Sequence, residues 1–337
     1  MRYFVNNYMP QKTKKLRAEL HAHLGASVAP AILWAIAHRQ GIKLPSKNYW
    51  DFEDMVTMTG KERNRNLDEM HNKFYHWTEL IQSSPEAIEE SVKSVIGGGY
   101  RACNIVLQEL RFNPMFRNRG GERDLDHIIM SAIWGLNQAV LEFPQVKAGL
   151  ILMADRMQPQ HLGETVIHKA IKYSKQGVVG VDIAGPERSS FNIEAYKEIF
   201  EKARKAGLGI TVHTGEAGSL DELSYVVREI KPDRIGHGII CVKDRALMRD
   251  IVKNKITLET CPTSNFRNSV VKNLKELKEI YRTLLKNKVK FTINTDGPEM
   301  YQTNIYEEQQ LLIKNGILTA KQVDLCTKWA FEASFIK

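Results

Sequence analysis

With 337 residues, 43% of them hydrophobic and 26% charged, the chain carries enough apolar material for one large core, which excludes a disordered or low-complexity polypeptide. The net charge of +9 raises nucleic acid as a partner, but beyond Lys12, Lys14, Lys15 and Arg17 the basic residues mingle with acids, as in EKARKAG and NLKELKEIYRTLLKNK, which is the pattern of solvated helix faces. No run of about 18 apolar residues is present, which argues against a membrane partner, and the opening MRYFVNNYMPQKTKKLR lacks the apolar stretch and cleavage site of a secretory leader, so a cytoplasmic location is expected.

In chain order, the first predicted strand is LRAELHAH, whose period of two sends His21 and His23 to the same face. About 80 residues then separate it from the second strand, far more than a βα connection needs, so residues from about 27 to 100 read as a helical insertion. Ser27 and Pro30 predict the start of a helix carrying Leu33 and Ile36 that stops near Gly41. A second helix follows from Leu67, Met70, Phe74, Trp77 and Ile81, and Ser84-Pro85 opens a third through Ile88, Val92 and Ile96 toward Gly97. Among the polar and aromatic residues here, His71, Phe74, Tyr75, His76 and Trp77 fit either helix packing or closure over a substrate.

Seven further apolar runs, CNIVLQELRF, VKAGLILMA, VVGVDIAG, GITVHTG, RIGHG, ITLETCP and KFTINTD, alternate with helical patterns such as LDHIIMSAIWGLNQAVLEF, IEAYKEIFEKARKAG, KDRALMRDIVKNK and LKELKEIYRTLLKNK. Eight strands with crossover helices predict a (β/α)8 TIM barrel, a single domain over residues 1–337 with the insertion as a lid at the C-terminal face of the strands. The ending EASFIK, soon after the last helical pattern, predicts a short C-terminal helix or tail.

The chemistry gathers at strand ends. His21 and His23 close the first strand, His213 the fifth and His237 the sixth, with Asp296 at the eighth, and inward residues at those ends meet at one mouth of a barrel. On their own His21 and His23 equally describe hydrogen-bonded core histidines; three imidazoles and a carboxylate together suit Zn²⁺ with room for a water. Bound zinc lowers the pKa of its water to about 7, and His237 or Asp296 is placed to take its proton and orient it. Glu216, three residues after His213, can act as a proton donor, although a first-turn acid of the helix SLDELSYVVREI would look the same. Gly215 and Gly218 fit a tight strand-to-helix turn. Cys103, Cys241, Cys261 and Cys326 form no CxxC pair and read as reduced, buried apolar residues, while neither the HxE/PCxxC pairing of base-flipping deaminases nor an HExxH site is present.

The blocks ELHAHL, LQELRF, LILMADR, VVGVDIAG, VHTGEAG, RIGHG, LETCPTSN and INTDGP, in this order and over nearly the whole chain, resemble an adenosine deaminase of the metal-dependent amidohydrolase superfamily. The resemblance implies zinc-dependent hydrolytic deamination of a small aminopurine nucleoside such as adenosine or a related derivative, giving the 6-oxo product and ammonia with one Zn²⁺ per chain. It makes His21, His23, His213 and Asp296 zinc ligands, Glu216 the proton donor to the ring nitrogen and His237 the residue that orients the hydroxide, with Gly185 a backbone contact to the purine. Two substrate-contacting positions depart from the family. Gly25-Ala26 stands where adenosine-specific members have Asp-Gly, whose acid contacts the sugar, and Gly297 where they have a second Asp that contacts the five-membered ring. Glu187 and Glu299 are the nearby acids that would compensate, or else surface and helix-end acids. The chemistry is therefore expected to carry over more fully than the substrate, and the competing reading is a metal-dependent amidohydrolase of the same barrel acting on a different amine, amide or nucleotide.

Overall fold

Each of the eight apolar runs folds as a strand: β1 (Arg17–His23), β2 (Ile105–Phe112), β3 (Lys147–Asp155), β4 (Val178–Ala184), β5 (Gly209–Thr214), β6 (Arg234–His237), β7 (Thr257–Thr260) and β8 (Phe291–Ile293). The computed structural model describes residues 15–58, 60, 62–64, 67–118, 124–187 and 191–337, with the backbone alone at 67, 68, 71 and 72; Lys12, Lys14 and the side chains of Leu67 and His71 lie outside the described residues. All neighbouring strands pair in parallel in the order β1 to β8. The first and last meet through a bridge between Ala22 and Asp296, where His23 N–H donates to Asp296 O at 2.7 Å and Asp296 N–H to His21 O at 2.9 Å. That contact closes the barrel and places two strand ends that carry candidate site residues side by side.

Charged residues are buried among the strands, where branched apolar layers usually fill such a barrel. Glu19, Glu109, Arg111, Asp182, Arg234 and Glu259 are each at most 1% exposed. Five of them form ion pairs: Arg111 bonds Asp182 and Glu259, both at 2.7 Å, and Arg234 bonds Glu259 and Glu109, both at 2.5 Å, whereas Glu19 accepts from His21 N–H and from the backbone and hydroxyl of Thr295, and burial brings it up to about 8.

The insertion between β1 and β2 is helical. Pro30 opens a helix (Pro30–Arg39) that ends before Gly41 at φ +67°. Ser27 does not cap it; its hydroxyl donates to His23 O at 2.7 Å and so ties the insertion to the end of β1. The second helical stretch runs as Leu67–Met70, a π turn His71–Tyr75 and His76–Ile81. A helix at Tyr49–Val56 was not foreseen; Asn48 caps it by accepting from Trp50 N–H at 2.9 Å. The third predicted helix, Pro85–Cys103, starts at Ser84 as expected but continues past Gly97. A Cβ at Gly97 would lie 2.8 Å from the Phe143 ring and one at Gly99 3.1 Å from Gln108, so these glycines admit neighbours, and Asn104, at φ +54°, ends the helix. Among the described residues no helix is long and apolar enough to cross a membrane.

Candidate active site

The C-terminal ends of β1, β5, β6 and β8 bring His21, His23, His213, His237 and Asp296 together. Nε2 of His213 lies 3.0 Å from Nε2 of His21 and 3.1 Å from Nε2 of His23, and Oδ1 of Asp296 is 3.4 Å from His23 Nε2 and 3.8 Å from His21 Nε2. The backbone is strained to do this. His237 and Asp296, neither of them glycine, sit at φ +60° and +64°, a left-handed conformation that non-glycine residues adopt at a cost and that often marks a functional site.

Carboxylates outside the cluster fix the imidazole tautomers. Glu259 accepts from His21 Nδ1 at 2.7 Å and Asp182 from His213 Nδ1 at 3.1 Å, which leaves the Nε2 atoms of both rings as bare acceptors facing each other at 3.0 Å. Two lone pairs so placed in a buried site call for a cation between them. Burial first, then the positive Arg111 and the neighbouring imidazoles, hold His21, His23 and His237 well below the usual imidazole range, the neutral state that binds a metal. Burial also raises Asp296, against the hydroxyl of Ser264, which donates to its Oδ2 at 2.5 Å.

Among the described residues two groups bring metal-type ligand atoms within 4.8 Å of one another: His21, His23 and His213, and His21, His237 and Cys261. The first fits a divalent cation. In the second, burial pushes the Cys261 thiol well up, so it stays a thiol, with the carbonyl of Glu259 3.8 Å from its sulfur.

Glu216 stands beside this cluster on the turn after β5. Its Oε1 accepts from Asn265 Nδ2 at 3.0 Å, its Oε2 lies 3.6 Å from His237 Nε2, and the same Asn265 amide is 3.0 Å from His237 Nδ1. Burial, followed by the charges of Asp296 and Glu187, raises the Glu216 carboxyl well above the usual range, the direction that favours its protonated form. The cavity over the cluster is lined by His23, His213, Glu216, His237 and Asp296 from the barrel, by Gly185 and Glu187 after β4, and by Met70, Tyr75 and Glu79 from the insertion.

The two departing glycines are not open slots. A Cβ at Gly25 would lie 3.0 Å from the Tyr75 ring and 3.1 Å from Arg117, and one at Gly297 only 2.6 Å from the Cβ of Ala26. Gly185 lines the cavity at φ +101°, beside Asp155. Neither nearby acid is a plain surface group: Glu187 accepts backbone amides, and burial followed by Glu53 brings Glu299 up to about 7. Sequence reasoning missed Arg111, Asp182, Glu259, Ser264 and Asn265. The signal was there in the charged residues two apart in QELR, in an acid inside VDIA, and in the polar run TSN after a strand.

A barrel whose strand ends join a metal-type imidazole cluster to a buried carboxyl has the site of a metal-dependent hydrolase. The sequence profile of the family described as adenosine deaminase matches residues 17–337, and the chain belongs to that family. An adenosine deaminase of Clostridium kluyveri is 31% identical over 326 residues, 95% of this chain and 89% of that protein. One from Clostridium botulinum strain Langeland is 31% identical, covering 96% of this chain and 94% of its own. Among solved structures, an adenine deaminase from Arthrobacter aurescens superposes with a TM-score of 0.83 at 19% identity, over 95% of this chain and 94% of that one. The N6-mAMP deaminase of Arabidopsis superposes with a TM-score of 0.80 at 21% identity, over 95% and 93%. These two likenesses concern the fold.

Proposed function

We propose that the chain is a zinc-dependent aminohydrolase that converts an aminopurine nucleoside, or a related nucleotide, to its 6-oxo product and ammonia. The observation that carries this reading is the placement of a buried carboxyl, Glu216, with its Oε2 3.6 Å from His237 Nε2, beside three imidazoles whose Nε2 atoms converge 3.0 and 3.1 Å apart. His21, His23, His213 and Asp296 are the residues that would hold zinc, which when bound activates water and acts as a Lewis acid at neutral pH.

The side chains do the rest. A ring carbon bearing an amine resists attack until the adjacent ring nitrogen takes a proton, and Glu216 supplies it, with Asn265 fixing the carboxyl through Oε1 at 3.0 Å. His237, held through Nδ1 by the same amide, orients the attacking water. Gly185 offers its backbone N–H to the purine edge. The insertion, residues about 27–100, acts as the lid of a single domain, since Met70, Tyr75 and Glu79 line the cavity and would exclude water over the substrate.

Adenosine stands first because relatives 31% identical over nearly the whole chain bear the name adenosine deaminase. A second reading, a different amine or amide on the same scaffold, is favoured by Gly25 and Gly297, where Tyr75 and Ala26 occupy the space an acid would need. The test is release of ammonia, or of the corresponding amine from N6-substituted members, together with formation of the 6-oxo product, by the zinc-loaded protein from a panel of aminopurine bases, nucleosides, N6-substituted nucleosides and nucleotides. Turnover of at least one is expected, with Glu216→Gln slower by at least about 1,000-fold while still binding one zinc, and with loss of activity on chelation restored by added zinc. No release from any panel member by stoichiometrically loaded protein rejects the reading.

A further inference from the structure

We infer that Glu187 is a positioning residue for the proton-donating carboxyl of Glu216: it grips, through three consecutive backbone amides, the turn on which Glu216 stands. The inference rests on the role proposed above for Glu216 and extends it to a residue that touches no reacting atom.

Glu187 follows β4, and its carboxylate reaches across to the turn after the neighbouring strand β5. Gly215 N–H donates to its Oε2 at 2.8 Å, Glu216 N–H to its Oε1 at 2.8 Å and Ala217 N–H to its Oε1 at 3.0 Å. Successive amides that point at one anion form an anion-binding concavity, and here a side chain of the chain itself fills it. Among the described residues these amides donate to no backbone carbonyl, so the carboxylate is what satisfies all three, while the carbonyl of Gly215 accepts from Ile240 N–H at 3.1 Å. The turn does not belong to the helix that follows, which begins at Leu220 under its own cap, Ser219.

Two glycines are shaped to this contact. Gly215 takes φ +69°, which swings the amides to one side, and a Cβ at Gly218 would lie 2.2 Å from Glu187 Oε2. Glu216 is thereby held at both ends, at its peptide by Glu187 and at its carboxyl by Asn265. Both oxygens of Glu187 are engaged by the turn at the edge of the cavity it lines. A shift of about 1 Å in a reacting group costs on the order of 100-fold in rate, which is the size of effect the grip protects.

The test uses the zinc-loaded protein with Glu187→Ala and the milder Glu187→Gln, which keeps one acceptor oxygen. In Glu187→Ala, amide hydrogen exchange at 215–217 is expected to speed up by at least about tenfold, kcat to fall by about 100-fold and KM to stay within about threefold, with one zinc retained; Glu187→Gln falls between. In a Glu216→Ala background, adding Glu187→Ala lowers kcat no further, because the two residues act through one proton transfer. Unchanged exchange overturns the inference, as does faster exchange with kcat preserved, a loss confined to KM or zinc content, or additive effects in the double variant. Should the wild-type chain release no ammonia, the catalytic reading falls on its own, and the exchange measurement still decides whether Glu187 holds the turn.

Discussion

Glu216, at the mouth of the barrel, and Glu259, inside it on β7, are both buried carboxyls, at 6% and 0% exposure, and their neighbours drive them in opposite directions. Against its burial, Glu259 is pulled well below the usual range by Arg111 and Arg234, so it stays ionised and holds His21. Glu216 meets burial and then two acids, Asp296 and Glu187, and rises. A raised acid donates while the pH is below its folded pKa and loses that ability as the pH rises through it, so kcat is expected to fall on an alkaline limb well above the ordinary carboxylate range. An infrared difference spectrum of wild type minus Glu216→Gln checks the cause, because it should contain a protonated-carboxyl band at neutral pH; its absence there sinks the assignment. Glu216 was legible because HTGE puts an acid three residues after a histidine at a strand end. Asn265 was not, since an uncharged residue after a strand reads as turn chemistry, and Glu187 read as a compensating acid or else a surface or helix-end one because its partners are backbone amides, which no side-chain letter reports.

At the scale of elements, the strands were readable because each is a short Val, Ile or Leu run that ends at a turn signal, and the site residues followed from the strand ends. What the strands enclose was not readable. Arg111 on β2 donates to Asp182 on β4 and Glu259 on β7, both at 2.7 Å, and to the carbonyl of Leu20 on β1, also at 2.7 Å, so one guanidinium ties four strands and steadies the two acids that orient His21 and His213. Removing one member of such a set strands the others without countercharge. Arg111→Met is therefore expected to lower apoprotein stability by about 3–5 kcal/mol and zinc affinity by about 10- to 100-fold, measured by denaturant unfolding and by metal competition. Apoprotein stability within about 1 kcal/mol of wild type would show that the strands hold without it. The helix end expected at Gly97 failed for a related reason: the glycine reads as a stop from sequence, but its missing side chain makes room for Phe143, a residue 46 positions away.

At the scale of the whole molecule, the end of the chain opposite the mouth is tied to the site. The expected C-terminal tail follows the last helix (Ala320–Ala333) and turns in against the N-terminal ends of the strands. There Ser334 Oγ and Phe335 N–H both donate to Glu109 Oε1 at 2.7 Å, and the Arg234 guanidinium lies over the Phe335 ring at 3.5 Å. Gly180 on β4 and Gly209 on β5 make the room: a Cβ on either would lie 2.6 or 2.1 Å from that ring. Nothing in VVGVD or GITVH names the ring 126 residues beyond Gly209 that those glycines accommodate, so the plug could not be read from sequence. Arg234 joins Phe335 to Glu259 and hence to His21, which raises the question of whether the plug serves the site or only the fold. Arg234 keeps its ion pairs to Glu109 and Glu259 when the ring is removed, so the fold alone should suffer. Phe335→Ala is expected to cost about 2–4 kcal/mol, at the low end for deleting a buried phenylalanine because this ring is only partly covered, with kcat within about twofold and zinc content unchanged. A large fall in kcat at a temperature where the variant is fully folded would instead mean that the plug tunes the imidazole cluster through the buried charges.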